Sequence, residues 1–225
     1  MRSISSRWLS LFFVIGSALV LTAGLLLSLN QPRRVQAATL TYPGGCGPLI
    51  QDCINTANAG DTIQISAGTY TESFTLDKAV SLVGAASNTT FLSAVSGERV
   101  ITVTGAVTSG VVISGLTFMG GDALTADGGG MTVLSGSQPS LINLVFTNNR
   151  ADSGYGGGLN IGFTGPLITL QNVVAFSNTA SNGGGLYSAR ATVLLGGSFY
   201  SNVAQYGGGL YFDGDATLNN TQVLS

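Results

Sequence analysis

The sequence predicts an all-β protein built as a parallel β-helix, and three observations predict it. Glycine triplets open at Gly128, Gly156, Gly183 and Gly207, so one unit recurs every 24 to 28 residues. Within a unit the apolar residues alternate with a period of two, as along Ile168, Leu170, Val174 and Phe176, the pattern of strands with one face inward. Each unit has only two or three short strands between Gly, Asn, Ser or Pro turns, too little to enclose a core alone. Units must therefore stack, with like residues about 4.8 Å apart along the axis. A propeller is the runner-up, but its blades need about 40 to 50 residues each.

The elements follow in chain order. Arg2 and Arg7 precede an uncharged apolar run from Leu9 to Leu29, and Val35-Gln36-Ala37 before Ala38 is a small-residue cleavage site. Residues 1–37 read as a signal peptide, with an uncleaved signal anchor as the alternative because Arg33 and Arg34 flank the far side. Either reading takes the remainder out of the cytoplasm. In that oxidising setting Cys46 and Cys53, seven apart and without a C-x-x-C spacing, are expected to form a disulfide; two small buried thiols are the alternative.

Residues 38–59 are expected to form an N-terminal segment with a short capping helix. Leu49, Ile50, Cys53, Ile54 and Ala57 fall on one helical face begun by Pro48 and ended near Gly60. Such a lid shields the first coil from edge-to-edge association. Residues 60–225 hold the coils, and at roughly 25 residues per coil the mature chain from residue 38 holds about seven. The last ten residues, from Ala216, parallel Ala191 to Ser201 and stop where the next corner Asn is expected, so the chain reads as truncated at its C-terminus.

Stacking assigns roles inside the unit. Leu116, Leu144 and Val174 are expected in one inward column and Phe118, Phe146 and Phe176 in the next. Asn149, Asn178 and Asn202 precede the triplets at Gly156, Gly183 and Gly207 by 7, 5 and 5 residues. They are expected to stack at one corner and bond each other's amides up the axis, while the triplets, including Gly128, take backbone shapes that a Cβ disfavours.

Composition restricts the chemistry. The chain has 8 basic and 10 acidic residues, so no cationic surface exists for nucleic acid. Removing residues 1–37 leaves Lys78, Arg99, Arg150 and Arg190 against every acid. With no histidine, the commonest general base and zinc ligand is missing. Asp213 and Asp215 are the closest acidic pair; on a strand their i, i+2 spacing would face both one way, and a solvated FDGD turn is the alternative. They are weak ligand candidates. Asp122 and Asp127 bracket a Gly-rich turn that lacks calcium-loop spacing, so neither a metal site nor a cofactor is read.

Two stretches resemble known families. Gly60 to Ala85, with GDTI, GTYTE and an alternating run ending at Gly84, resembles the opening coil of pectin-lyase-like right-handed β-helix proteins. The later units resemble the polymorphic outer-membrane protein repeat, with GGGL or GGGM for GGA-aliphatic, and FxxN at Phe146–Asn149 and Phe199–Asn202. FxxN fails at Phe176, where Asn178 comes one residue early. The resemblance implies a right-handed helix and a surface-exposed, often adhesive protein. An outer-membrane location follows only by analogy.

The expected function is a non-enzymatic secreted or cell-surface module, adhesive or structural, whose partner is a surface glycan or another cell-surface protein. Tyr187, Tyr206 and Tyr211 are its candidate stacking platforms. Membrane contact would come only through an uncleaved anchor or a region beyond the chain. The alternative is the N-terminal part of a carbohydrate-active β-helix enzyme, a polysaccharide lyase, esterase or glycosidase, with its catalytic residues beyond residue 225.

Overall fold

The structure is a computed structural model and describes residues 36–105 and 107–224. The signal-peptide reading falls, but for its last two positions, outside the described residues. Among the described residues no helix is long and apolar enough to cross a membrane.

The chain is a parallel β-solenoid. Its first sheet stacks β1 (Thr39–Tyr42), β2 (Thr62–Ile65), β5 (Ser81–Gly84), β8 (Val112–Ser114), β11 (Ser140–Ile142), β15 (Ile168–Phe176), β18 (Thr192–Tyr200) and β21 (Ala216–Asn219). That makes about eight turns, one more than expected, because Thr39–Tyr42 already pairs with Thr62–Ile65. β15 and β18 run on around a corner, so the same sheet continues through β3 (Gly68–Thr71), β6 (Thr90–Ser93), β9 (Thr117–Met119), β12 (Val145–Thr147) and β22 (Gln222–Leu224). Gly68–Thr71, within the GTYTE stretch, is thus one of its strands.

A second sheet holds β4 (Phe74–Leu76), β7 (Ile101–Val103), β10 (Met131–Val133), β14 (Leu159–Ile161), β17 (Leu186–Ser188) and β20 (Leu210–Phe212). A third, of β13 (Arg150–Tyr155), β16 (Thr179–Asn182) and β19 (Val203–Tyr206), is interposed in the later turns.

Inward columns form the core. Ile63, Leu82, Ile113, Leu141, Leu170 and Leu194 lie in register and fully buried. Each contributes about 1.5–3 kcal/mol of apolar transfer, upper-bound figures because the unfolded chain already buries some area.

The aromatic column differs from expectation. Phe118 and Phe146 stack with ring centroids 5.2 Å apart, but the next rung places Ala175 there, and Phe199 follows. Phe176 faces outward against Tyr200, and Val173 rather than Val174 is the buried neighbour. The asparagines explain the shift: three residues before Asn149, Asn178 and Asn202 stand Phe146, Ala175 and Phe199. Register follows the corner, and Phe176 is one residue out of phase with it.

Those asparagines bond up the axis. Asn149 Nδ2 donates to Asn178 Oδ1 at 3.0 Å and Asn178 Nδ2 to Asn202 Oδ1 at 2.9 Å. The backbone N–H of Asn149 and of Asn178 donates to the same acceptors, and each side chain also donates to a carbonyl of the preceding turn. The left-handed residues are not these but their predecessors Asn148, Ser177 and Ser201. A second corner, missed in the sequence, has left-handed Asn143 and Asn172 joined by Asn172 Nδ2 donating to Asn143 Oδ1 at 3.1 Å.

The triplet beginning at Gly156 shows why glycine recurs. Gly156 has φ +63°, and a Cβ on Gly157 would fall on the carbonyl oxygens of Thr179 and Gly184 in the next turn. Only a bare backbone lets the turns close to hydrogen-bonding distance.

Helix α1 (Ile50–Thr56) buries Ile50, Cys53 and Ile54 in the core, whereas Leu49 is exposed. Buried Glu72 accepts from the N–H of Ile50 at 2.7 Å and of Gln51 at 2.8 Å, satisfying two of the donors a helix leaves open at its start. Cys46 and Cys53 are joined in a disulfide, their Cα atoms 4.8 Å apart.

Candidate functional site

In the second sheet the flanking residues of each strand point inward, which turns the central residue outward. Thr75, Thr102, Thr132, Asn160, Tyr187 and Tyr211 therefore form one outer column in register. Its middle is covered. Asn160 Nδ2 donates to Thr132 Oγ1 at 2.9 Å, and the Tyr155 ring lies on Tyr187 at 4.5 Å between centroids. Tyr155 is held by its N–H, which donates to Asp127 Oδ1 at 2.8 Å.

Tyr187 then stacks on Tyr211 at 5.7 Å, giving three parallel rings. Tyr187 is 1% exposed, so it is no free platform, contrary to the sequence expectation; Tyr206 and the half-buried Tyr211 keep accessible faces. The Tyr187 hydroxyl donates to Asp213, and burial first, then this carboxylate, push the phenol well above its ordinary range.

Asp213 and Asp215 lie in the bend between β20 and β21, not on a strand, so they do not share a face by strand alternation. Asp122 and Asp152 both flank the Arg150 guanidinium. Among the described residues no three His, Cys, Asp or Glu side chains come together as metal ligands.

At the other end the column opens. Thr75 and Thr102 border a cleft of ≈ 360 Å³ lined also by Gln51, Ser73, Glu98 and Arg99. That size suits one small ligand. Gln51 Oε1 accepts from the Thr75 N–H at 2.8 Å and Ser73 Oγ from the Val95 N–H at 3.0 Å, so the walls are braced by their own backbone.

Arg99 makes no hydrogen bond or ion pair among the described residues. Burial lowers its proton affinity, and Asp127 partly opposes this. Hydroxyls, an amide, one cation and one carboxylate suit a polyhydroxylated ligand. The outer column itself carries no carboxylate and no activated nucleophile. The sequence reading passed over Glu98 and Arg99; their signal was two adjacent opposite charges in a chain with 8% charged residues.

No protein-family model matches the chain, the polymorphic outer-membrane repeat included, and no curated relative matches by sequence. Solved structures do match. Pectin methylesterase PemA from Erwinia chrysanthemi aligns with 75% of the chain and 56% of its own, at 14% identity and TM-score 0.53. A pectin methylesterase in complex with a hexasaccharide aligns over 84% of the chain and 66% of its own, at 13% identity and TM-score 0.54.

The fold is the pectin-lyase-like parallel β-helix. The chain spans a little over half to about two thirds of these two structures' length. Both are enzymes, which corrects the expectation of a non-enzymatic adhesive or structural module; the carbohydrate-active alternative fits them better.

Proposed function

We propose that the chain is part of a carbohydrate-active β-helix enzyme, of the polysaccharide lyase, esterase or glycosidase kind, acting outside the cytoplasm. The cleft of Gln51, Ser73, Thr75, Glu98, Arg99 and Thr102 holds one sugar residue of the polymer. The single observation behind this is Arg99: a half-buried guanidinium that has no acceptor among the described residues, set among hydroxyls and an amide. It offers its donors to sugar oxygens, Gln51 and the threonines bond hydroxyls, and Glu98 accepts from them.

The outer column has no carboxylate, so it binds and does not itself supply the reacting groups. Likeness to pectin methylesterases supports the fold that such sites use; the polymer class rests on the cleft.

Activity assays of the whole natural protein on pectin, pectate and neutral plant polymers, with affinity electrophoresis in the same polymers, test this. Product release together with weaker retention of Arg99→Gln is expected. Absence of both product and retention with every polymer refutes it.

A further inference from the structure

Arg190 lies in the connection between β17 and β18, and its place is unusual for a cation. The Ser188 hydroxyl, at 3.1 Å, and the Thr192 hydroxyl, at 2.9 Å, both donate to its carbonyl oxygen, fixing the backbone. From there the side chain runs back across two earlier turns. Nη2 donates to the Ser137 carbonyl at 2.6 Å and Nη1 to the Thr164 carbonyl at 3.4 Å.

The residue is 4% exposed, and among the described residues no carboxylate pairs with it; the ion pairs are those of Arg150. Carbonyl oxygens solvate a guanidinium but do not neutralise it. A buried charge without an opposite charge is strongly disfavoured.

Two more donors are left over in the two residues that the 2.6 Å contact joins. Arg190 Nε and the Ser137 hydroxyl, in a residue with no exposed surface, are both buried without a partner. Native proteins seldom leave such groups open, and where they do an ion or water commonly fills the gap. A Cβ on Gly165 would fall on Arg190 Nη1, so the surrounding turn is already tight. There is room at most for a small group.

We propose that Arg190 and Ser137 form a buried binding site for a small inorganic anion of the chloride class. The ion accepts from Arg190 Nε and the Ser137 hydroxyl and supplies the missing negative charge, tying together the turns that contain Ser137, Thr164 and Arg190. Burial alone, with no compensating charge, lowers the proton affinity of Arg190, in keeping with an environment that lacks an anion of its own. The site is separate from the cleft at Arg99 and does not depend on the proposed function.

Bromide replaces chloride and scatters anomalously, so crystals of the whole chain grown in sodium bromide are expected to show a peak beside Arg190 Nε and Ser137 Oγ. In solution, Tm is expected to rise by about 4 °C, saturably, in sodium chloride over sodium gluconate at equal ionic strength. Ser137→Ala and Arg190→Gln are each expected to remove that difference, and the serine variant serves if the arginine variant does not fold. A water without anomalous signal at that place, equal Tm in the two salts, or an unchanged chloride effect in Ser137→Ala overturns the proposal.

Discussion

The amide oxygen of Asn178 accepts two hydrogen bonds from Asn149, one from its side chain and one from its backbone, both at 3.0 Å. Asn178 in turn donates to the Phe146 carbonyl and to Asn202. One side chain thus closes a corner across successive turns. Since removing it strands buried donors and acceptors, Asn178→Ala is expected to destabilise the fold by about 2–4 kcal/mol. Asn178→Asp should be no better, for a carboxylate cannot donate to Phe146 or Asn202. Urea unfolding measures both, and a loss below 1 kcal/mol would show that the ladder is dispensable.

Gly157→Ala is expected to be more disruptive than its single methyl suggests. The new Cβ meets backbone oxygens of Thr179 and Gly184, which cannot swing aside as a side chain could. Gly136→Ala is the control, because nothing lies near a Cβ there, although its φ of +87° adds strain of about 1–2 kcal/mol. Thermal unfolding should separate the two variants, with Gly157→Ala lower.

Acid sensitivity is expected at Asp61. Its carboxylate accepts from the N–H of Ala38 at 2.7 Å and of Asn58 at 2.8 Å, and these bonds hold its pKa below the usual carboxylate value. A depressed folded pKa contributes stability that is present above the unfolded value, near 3.8, and lost as pH falls through the folded one. Asp61→Asn should flatten the stability profile at that acid end; a profile unchanged below pH 4 contradicts the assignment.

Tyr187 predicts the opposite limb. Its phenol is raised above 10, so ionisation favours the unfolded chain and stability falls as pH rises past the unfolded value. Tyr187→Phe keeps the ring stack and removes the hydroxyl that donates to Asp213, at an expected cost of about 1 kcal/mol. Tyr187→Ala deletes the middle ring and should cost about 3–5 kcal/mol. The pH profile of ultraviolet tyrosine absorbance in wild type and Tyr187→Phe identifies the late-titrating group.

The repeat of Gly triplets and the two-residue alternation sufficed to specify a stacked parallel solenoid, because a unit that cannot bury its own apolar face has only its copies to bury it against. Spacing, with the export expected from the N-terminal segment, likewise sufficed to expect the Cys46–Cys53 link. Which residue of each rung faces inward was another matter: Phe176 looks like Phe146 in the sequence, but the asparagine corner sets the register and gives that inward place to Ala175. The cleft was equally illegible. Gln51 comes from a helix, Thr75 and Thr102 from successive turns and Arg99 from a connection, and only the stacking of turns brings them together. Local periodicity records which faces want burial; the surroundings of Arg99 and the partners of Arg190 and Tyr187 are set by contacts between distant turns, whose distances no spacing along the chain encodes.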